Sequence, residues 1–336
     1  MANKNILVLK NDRAGDFISS VRLISKLISQ NKKLDIYLSE FNYDFKFLIP
    51  NCNHKKIGFN LNFIDKIKIF FDIFNNKYDE IFILAPKNYY FFLPVLFKKI
   101  KFYAIVINGK KRNRPIFFLR RYLYKTSIRY RNKINKHNII QSNLSLIDDN
   151  NNLDSVQFKL EKINTDYFKH ISKNYIYFQF KRKFFKDLNW GTKEFEKIIN
   201  FFESKYEQVV FSADIEKSEY DLYFEKNYSF INFENKASYV EKNNKKTLYL
   251  KKVDPINLFH IIKNASKVIG PHGLITQISN LLNKKSVNLF NFEIKNIKDY
   301  HHQKISFSEW YSNMGIKFIF LNEDVKKSLK KIAKFV

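Results

Sequence analysis

Only one cysteine, Cys52, occurs in the 336 residues, which excludes a disulfide framework and fits a reducing, cytoplasmic compartment. Acidic residues are scarce as well: 32 Asp and Glu stand against 60 Lys and Arg, a formal charge of +28. No apolar run is long enough for a bilayer span, since the best stretch, Tyr89–Ile107, is broken by Lys98, Lys99 and Lys101. An apolar segment, Ile6–Leu9, begins almost at once and no small-residue cleavage site comes after it, so no signal peptide is expected. Asp-x-Asp, a common way of holding a diphosphate through a cation, is missing, and the seven histidines form no ligand-spaced pair beyond His301-His302. We therefore expect no metal and no cofactor.

What is present points to a folded α/β protein. Apolar residues make up 45% of the chain, enough for sizeable cores, and the length suggests two domains of about 150 residues each. The positive charge invites a polyanion, either nucleic acid or an acidic lipid surface. The wealth of Asn, Ile, Phe and Tyr, however, is also what an AT-rich coding sequence leaves, so local charge distribution has to decide.

Taken in order, Ile6–Leu9 reads as a buried strand, Lys10–Asp16 as a turn containing Gly15, and Phe17–Ile28 as a helix with apolar residues at helical spacing. Leu34–Leu38 is a strand, Tyr43–Leu48 a helix stopped by Pro50, Ile64–Phe74 a helix, Ile81–Leu84 a strand, Tyr89–Phe97 a helix and Phe102–Ile107 a strand. Such alternation predicts a parallel sheet. Lys110–Lys136 then joins eleven Lys and Arg to an apolar stripe from Ile116 to Tyr124 with no acidic residue. That mixture suits an anionic membrane surface, RNA, or simply a solvated helix. Asp148–Asp154 reads as an interdomain linker.

The second half repeats the pattern. Tyr175–Phe180 is a strand, Lys181–Asn189 a loop, Thr192–Tyr206 a helix capped by Thr192, and Val209–Phe211 a strand. Thr247–Leu250 reads as a short edge piece, Asp254-Pro255 starts a helix to Asn264, Phe318–Leu321 is a strand, and Asp324–Val336 a basic helix. The chain is organised around Val268–Phe290: apolar run, Gly270-Pro271-His272-Gly273, amphipathic helix, apolar run. A glycine turn between strand and helix offers unpaired N–H groups at the positive end of a helix dipole, a place for an anion, although such turns also serve as plain connections.

Two segments together resemble family nine glycosyltransferases, the heptosyltransferase-like enzymes. ILVLKNDRAGDFISSVRLISKL has the strand, Gly-Asp pair and helix with which that family opens, and Pro255–Phe290 resembles its nucleotide-sugar site. Trp190 and its following helix resemble the start of the second domain. The resemblance implies an α/β fold of the GT-B type, two Rossmann-like domains with parallel sheets facing across a cleft. The acceptor-binding domain would span 1–150 and the donor-binding domain 151–322, with a terminal helix, 323–336, able to pack back on the first. The turn departs from the family pattern: Pro271-His272-Gly273-Leu274 replaces Asp-Thr-Gly-Leu, and Thr276 stands in place of a following His. Gly-Pro-His-Gly also resembles a turn of plant xylosyltransferase-type GT-B enzymes.

On this reading Asp16 is the catalytic base, alternatively a carboxylate that favours a helix start. Lys10, Arg13 and Gly15 would bind the acceptor. Gly270, Pro271, His272, Gly273, Leu274 and Thr276 would hold the donor diphosphate, helped by Lys181 and Lys186, with Ser212 near the nucleotide. The expected activity is metal-independent, inverting transfer from a nucleoside-diphosphate sugar to a glycolipid or other surface glycan, with Lys110–Lys136 resting on an anionic membrane. No nucleic-acid partner is expected. The alternatives are a basic nucleic-acid-binding protein and a GT-B protein that binds nucleotide-sugar without turnover.

Overall fold

A computed structural model describes residues 4–30, 33–107, 122–123, 125–129, 139–147, 170–213, 219–232, 238–241, 247–251, 253–291 and 316–335. The chain divides into two compact units, Met1–Lys159 with Ser306–Tyr311, and Leu160–Ile305 with Ser312–Val336. The linker expected at Asp148–Asp154 and the pair His301-His302 lie outside the described residues.

The first unit runs β1 (Asn5–Lys10), α1 (Ala14–Ile18), α2 (Val21–Ser29), β2 (Lys33–Ser39), β3 (Asn53–Ile57), α3 (Phe63–Asn76), β4 (Glu80–Ile83), α4 (Asn88–Leu96), β5 (Lys101–Ile107), β6 (Lys125–Arg129) and α5 (Ile139–Leu144). Its six strands lie in the order β3-β2-β1-β4-β5-β6, every neighbouring pair parallel. Ile6, Leu7, Val8 and Leu9 are all fully buried, as a strand covered on both faces requires. Order reverses between β1 and β4, so their carboxyl ends open a crevice there. Tyr43–Leu48 is a 3-10 turn. Within the basic stretch Lys110–Lys136, Lys125–Arg129 forms β6, paired to β5, so the stretch is not one continuous amphipathic helix. Residues 110–121 and 130–136 lie outside the described residues.

The second unit runs β7 (Tyr175–Gln179), α6 (Arg182–Lys186), α7 (Thr192–Glu203), β8 (Gln208–Ser212), α8 (Glu219–Asn227), β9 (Ser229–Asn232), β10 (Ser238–Glu241), β11 (Thr247–Lys251), α9 (Pro255–Asn264), β12 (Lys267–Pro271), α10 (Leu274–Leu281), β13 (Ser286–Asn291), β14 (Ile316–Leu321) and α11 (Val325–Ala333). The order is β14-β13-β12-β7-β8-β11-β10-β9. All pairs from β14 to β11 are parallel, while β10 and β9 add an antiparallel extension. Leaving that extension aside, both sheets share one winding, and the second reverses between β7 and β12.

Several expectations change. Thr247–Lys251 is an interior strand with four buried residues rather than an edge piece, because β10 covers its outer side. The loop expected after β7 contains α6, held by Phe185 and by Trp190, whose rings stack 5.6 Å apart. Gly191, not Thr192, caps α7, and its N–H donates to Glu194 Oε2 at 3.1 Å. The terminal helix α11 inserts Val325, Leu329 and Ile332 into the core of the second unit, beside Ile198 and Phe202. No helix of the described residues is long and apolar enough to cross a membrane.

Candidate functional site: two sheet mouths

At the first mouth the loop leaving β1 is pinned from several sides. Asn42 Nδ2 donates to the carbonyls of Lys10 (2.8 Å) and Asp12 (3.1 Å), and Ser39 Oγ donates to Asp12 O at 2.6 Å. Asn11, fully buried, donates to Gly58 O at 2.8 Å and accepts from the Tyr90 hydroxyl at 2.7 Å. A loop held this firmly presents its neighbours in one position: Arg13 and Asp16 project as exposed side chains around Gly15 at the start of α1. The Asp16 backbone carbonyl accepts from Ser19 Oγ at 2.7 Å. Its side chain stays exposed to solvent.

Lys10 is not on this surface. It is buried, and its ammonium donates to Leu84 O at the end of β4 (3.0 Å) and pairs with Asp12 Oδ2 (2.7 Å). It ties the two strands of the crevice together. Asp12, which sequence reasoning passed over, has one carboxylate oxygen, Oδ1, buried without a hydrogen-bond partner among the described residues. Burial pushes its pKa up to about 7, the charge of Asp16 pushes the same way, and Lys10 opposes both. A second carboxyl able to hold a proton near neutrality thus stands close to Asp16. Its only sequence signal is an acidic residue in the same turn.

At the second mouth β7 and β12 press together. A Cβ on Gly270 would lie 2.6 Å from Ile275 Cδ1 and 3.1 Å from Gln179 Cβ, so a larger residue would have to push the Ile275 tip aside and crowd β7. Gly270 and Pro271 belong to β12, and the turn itself is His272-Gly273. Gly273 has φ +147°, and a Cβ there would meet Lys181 Nζ at 2.6 Å. Lys181 donates to His272 O at 3.3 Å, which brings a cation over the first turn of α10, where backbone N–H groups lack intrahelical partners. The combination suits a multiply charged anion. Leu274 opens the helix, half-buried.

His272 is no source of charge. Burial first, then the nearby Lys181, lowers its pKa to about 4, while hydrogen bonding to Asn288 resists. Its ring stacks on Phe290 with centroids 5.0 Å apart, and its Nδ1 lies 3.4 Å from Thr276 Oγ1. Thr276 is fully buried; its hydroxyl accepts from Gly273 N–H at 3.1 Å and donates to Asn288 Oδ1. It braces the turn from behind. Ser212 is buried too, bonded to the Tyr177 hydroxyl at 2.5 Å. Lys186 is exposed at the end of α6, and among the described residues Lys181 is the lysine hydrogen-bonded to the turn. Sequence reasoning missed Gln179, whose Oε1 is buried and unpartnered among the described residues, and Asn288, a polar residue inside the apolar strand β13.

No family model matches the sequence and no curated protein matches it closely. Solved structures do. ADP-heptose lipopolysaccharide heptosyltransferase II of E. coli superposes with a TM-score of 0.62 at 13% identity over 99% of this chain and 100% of that one. A family nine glycosyltransferase from Veillonella parvula gives 0.63 at 12% identity over 99% and 90%. The fold is GT-B. The UDP-GlcNAc 2-epimerase of Methanocaldococcus jannaschii, TM-score 0.58 at 14% identity over 98% and 92%, is similar as well. GT-B folds therefore include proteins named for transfer and for epimerisation, and the choice between them rests on the residues at the two mouths.

Proposed function

We propose that the chain is a glycosyltransferase that takes a sugar, a heptose being one candidate, from a nucleoside-diphosphate sugar to a glycolipid or other surface glycan. The observation that carries this reading is the second mouth, where Lys181 and the start of α10 meet around Gly273. These groups would hold a departing diphosphate without a metal. The first unit would hold the acceptor, with Asp16 as base and Arg13 and Gly15 lining its approach.

In the reaction Asp16 removes the proton from an acceptor hydroxyl as that oxygen bonds to the anomeric carbon. The bond from that carbon to the diphosphate breaks on the opposite side, so configuration inverts. The negative charge leaves onto Lys181 and the helix start. Neutral His272 shapes the turn and can donate or accept a hydrogen bond, but adds no positive charge. Location at the inner face of a cytoplasmic membrane, with Lys110–Lys136 against acidic lipid, completes the reading. Incubation with ADP-, UDP-, GDP- and CMP-sugars and a lipid-linked glycan acceptor tests it. Transfer should appear with one donor and fall by at least roughly 100-fold in Asp16→Asn, the loss expected when a general base is removed. A donor epimerised with no transfer would favour the epimerase reading, and full transfer by Asp16→Asn would remove Asp16 as base.

A further inference from the structure

One face of the first unit is unusually apolar. The inward side of α3 buries Ile69 and Ile73, yet its outward side exposes Phe63 (75%), Ile64 (73%), Ile67, Phe71 (55%) and Phe74 (67%). These five fall within about 100° of arc and extend about 16 Å along the axis. α4 lies alongside, since the Tyr89 hydroxyl donates to Lys66 O at 2.6 Å and the Phe70 and Phe97 rings sit 5.3 Å apart. It adds exposed Phe92 and Leu96. Single exposed apolar residues are ordinary, but a contiguous sheet of them marks an interaction surface.

The surface continues to the first mouth. Exposed Phe41 packs edge to face on Phe59, 5.3 Å away, just before α3. The same loop is tied to the crevice by Asn11 through Gly58 O and by Lys87 through Phe59 O. Around the apolar residues stand exposed Lys68, Lys77, Lys98 and Lys99. The acids of α3 are engaged elsewhere: Asp65 in the helix cap with Asn62, Asp72 with Lys55. An apolar stripe rimmed by lysines suits lipid with acidic headgroups, the phenylalanines entering the acyl boundary while the lysines meet phosphates. A second copy of the chain suits it poorly, because each copy would bring the same lysine rim and the same +28 charge.

We propose that the α3–α4 face, continuous through Phe41 and Phe59 with the first mouth, docks the protein on an anionic membrane and brings a lipid-linked substrate's headgroup to that mouth. The docking part is independent of the transfer reaction, because binding is measured without any substrate. The test is co-sedimentation of the full chain with phosphatidylcholine vesicles carrying either no acidic lipid or about one third phosphatidylglycerol. Compared with wild type are the triple variant Phe63→Ser, Phe71→Ser, Phe74→Ser, and a control carrying Lys326→Gln, Lys327→Gln and Lys330→Gln, exposed lysines of α11 in the second unit.

Wild type should bind the acidic vesicles, weakening as salt rises. The phenylalanine variant should lose at least roughly tenfold in affinity while unfolding thermally no earlier than wild type, because its substitutions lie on exposed positions. Equal vesicle binding by wild type and this variant overturns the proposal, as does loss of binding confined to the α11 control. A concentration-dependent dimer that the phenylalanine substitutions dissolve, without vesicle binding, also overturns it and assigns the face to a second copy.

Discussion

His272 shows how much a residue's role depends on its surroundings. In sequence it is a basic side chain in a glycine turn. In the fold it is packed on Phe290, beside Lys181, and its pKa falls from 6.5 to about 4. Between those values the unfolded chain takes up a proton that the folded one refuses, so stability is highest above about pH 6.5 and is lost as pH falls toward 4. The full difference amounts to about 3 kcal/mol for this group. Denaturant unfolding at pH 7 and pH 4.5 should therefore show a larger acid destabilisation in wild type than in His272→Gln. An identical pH slope in both proteins would mean that the imidazole is not buried as described. Thr276 and Lys10 make the same point: both read as binding residues, and both are braces committed inside the fold.

At the scale of elements, the turn between β12 and α10 was legible from Gly270 and Gly273, because two glycines between an apolar run and an amphipathic segment leave few alternatives. The cation that serves it was only half legible. The sequence leaves Lys181 and Lys186 both open and its resemblance favours Lys186, the nearer to Trp190; in the fold Lys186 is exposed at the end of α6, while Lys181, just after β7, bonds to the turn. Gly273 is the position where that geometry is least forgiving. Alanine there has to adopt φ +147° and displace the Lys181 ammonium, costing about 1 to 3 kcal/mol from backbone strain. Gly273→Ala should lower the thermal midpoint and weaken nucleotide-diphosphate binding measured by calorimetry; unchanged affinity would show that the turn is not where the diphosphate sits. Strands β3 and β10 were missed because their sequences, NHKKI and SYVE, carry no long apolar run, and only pairing with β2 and β11 makes them strands.

For the whole molecule, the two units carry separable tasks on the proposed reading. Nucleoside diphosphate should raise the thermal midpoint of wild type, since a ligand of the folded form stabilises it. Asp16→Asn should keep that rise and lose transfer, whereas Lys181→Ala should lose most of the rise itself. If Asp16→Asn abolished the rise while Lys181→Ala kept it, the assignment of donor to the second unit would be reversed.

The sequence alone was enough to determine most of the alternation of strands and helices, the glycine turn after β12 and the α/β class, because burial period and backbone freedom are local properties, whereas Gly15 proved to lie within α1. Strand order, the burial of Asp12 and His272, the choice of Lys181, the docking of α11 in the second unit and the apolar outer face of α3 were decided only by tertiary structure. Each depends on which distant segments come to lie side by side, and a linear pattern does not carry that.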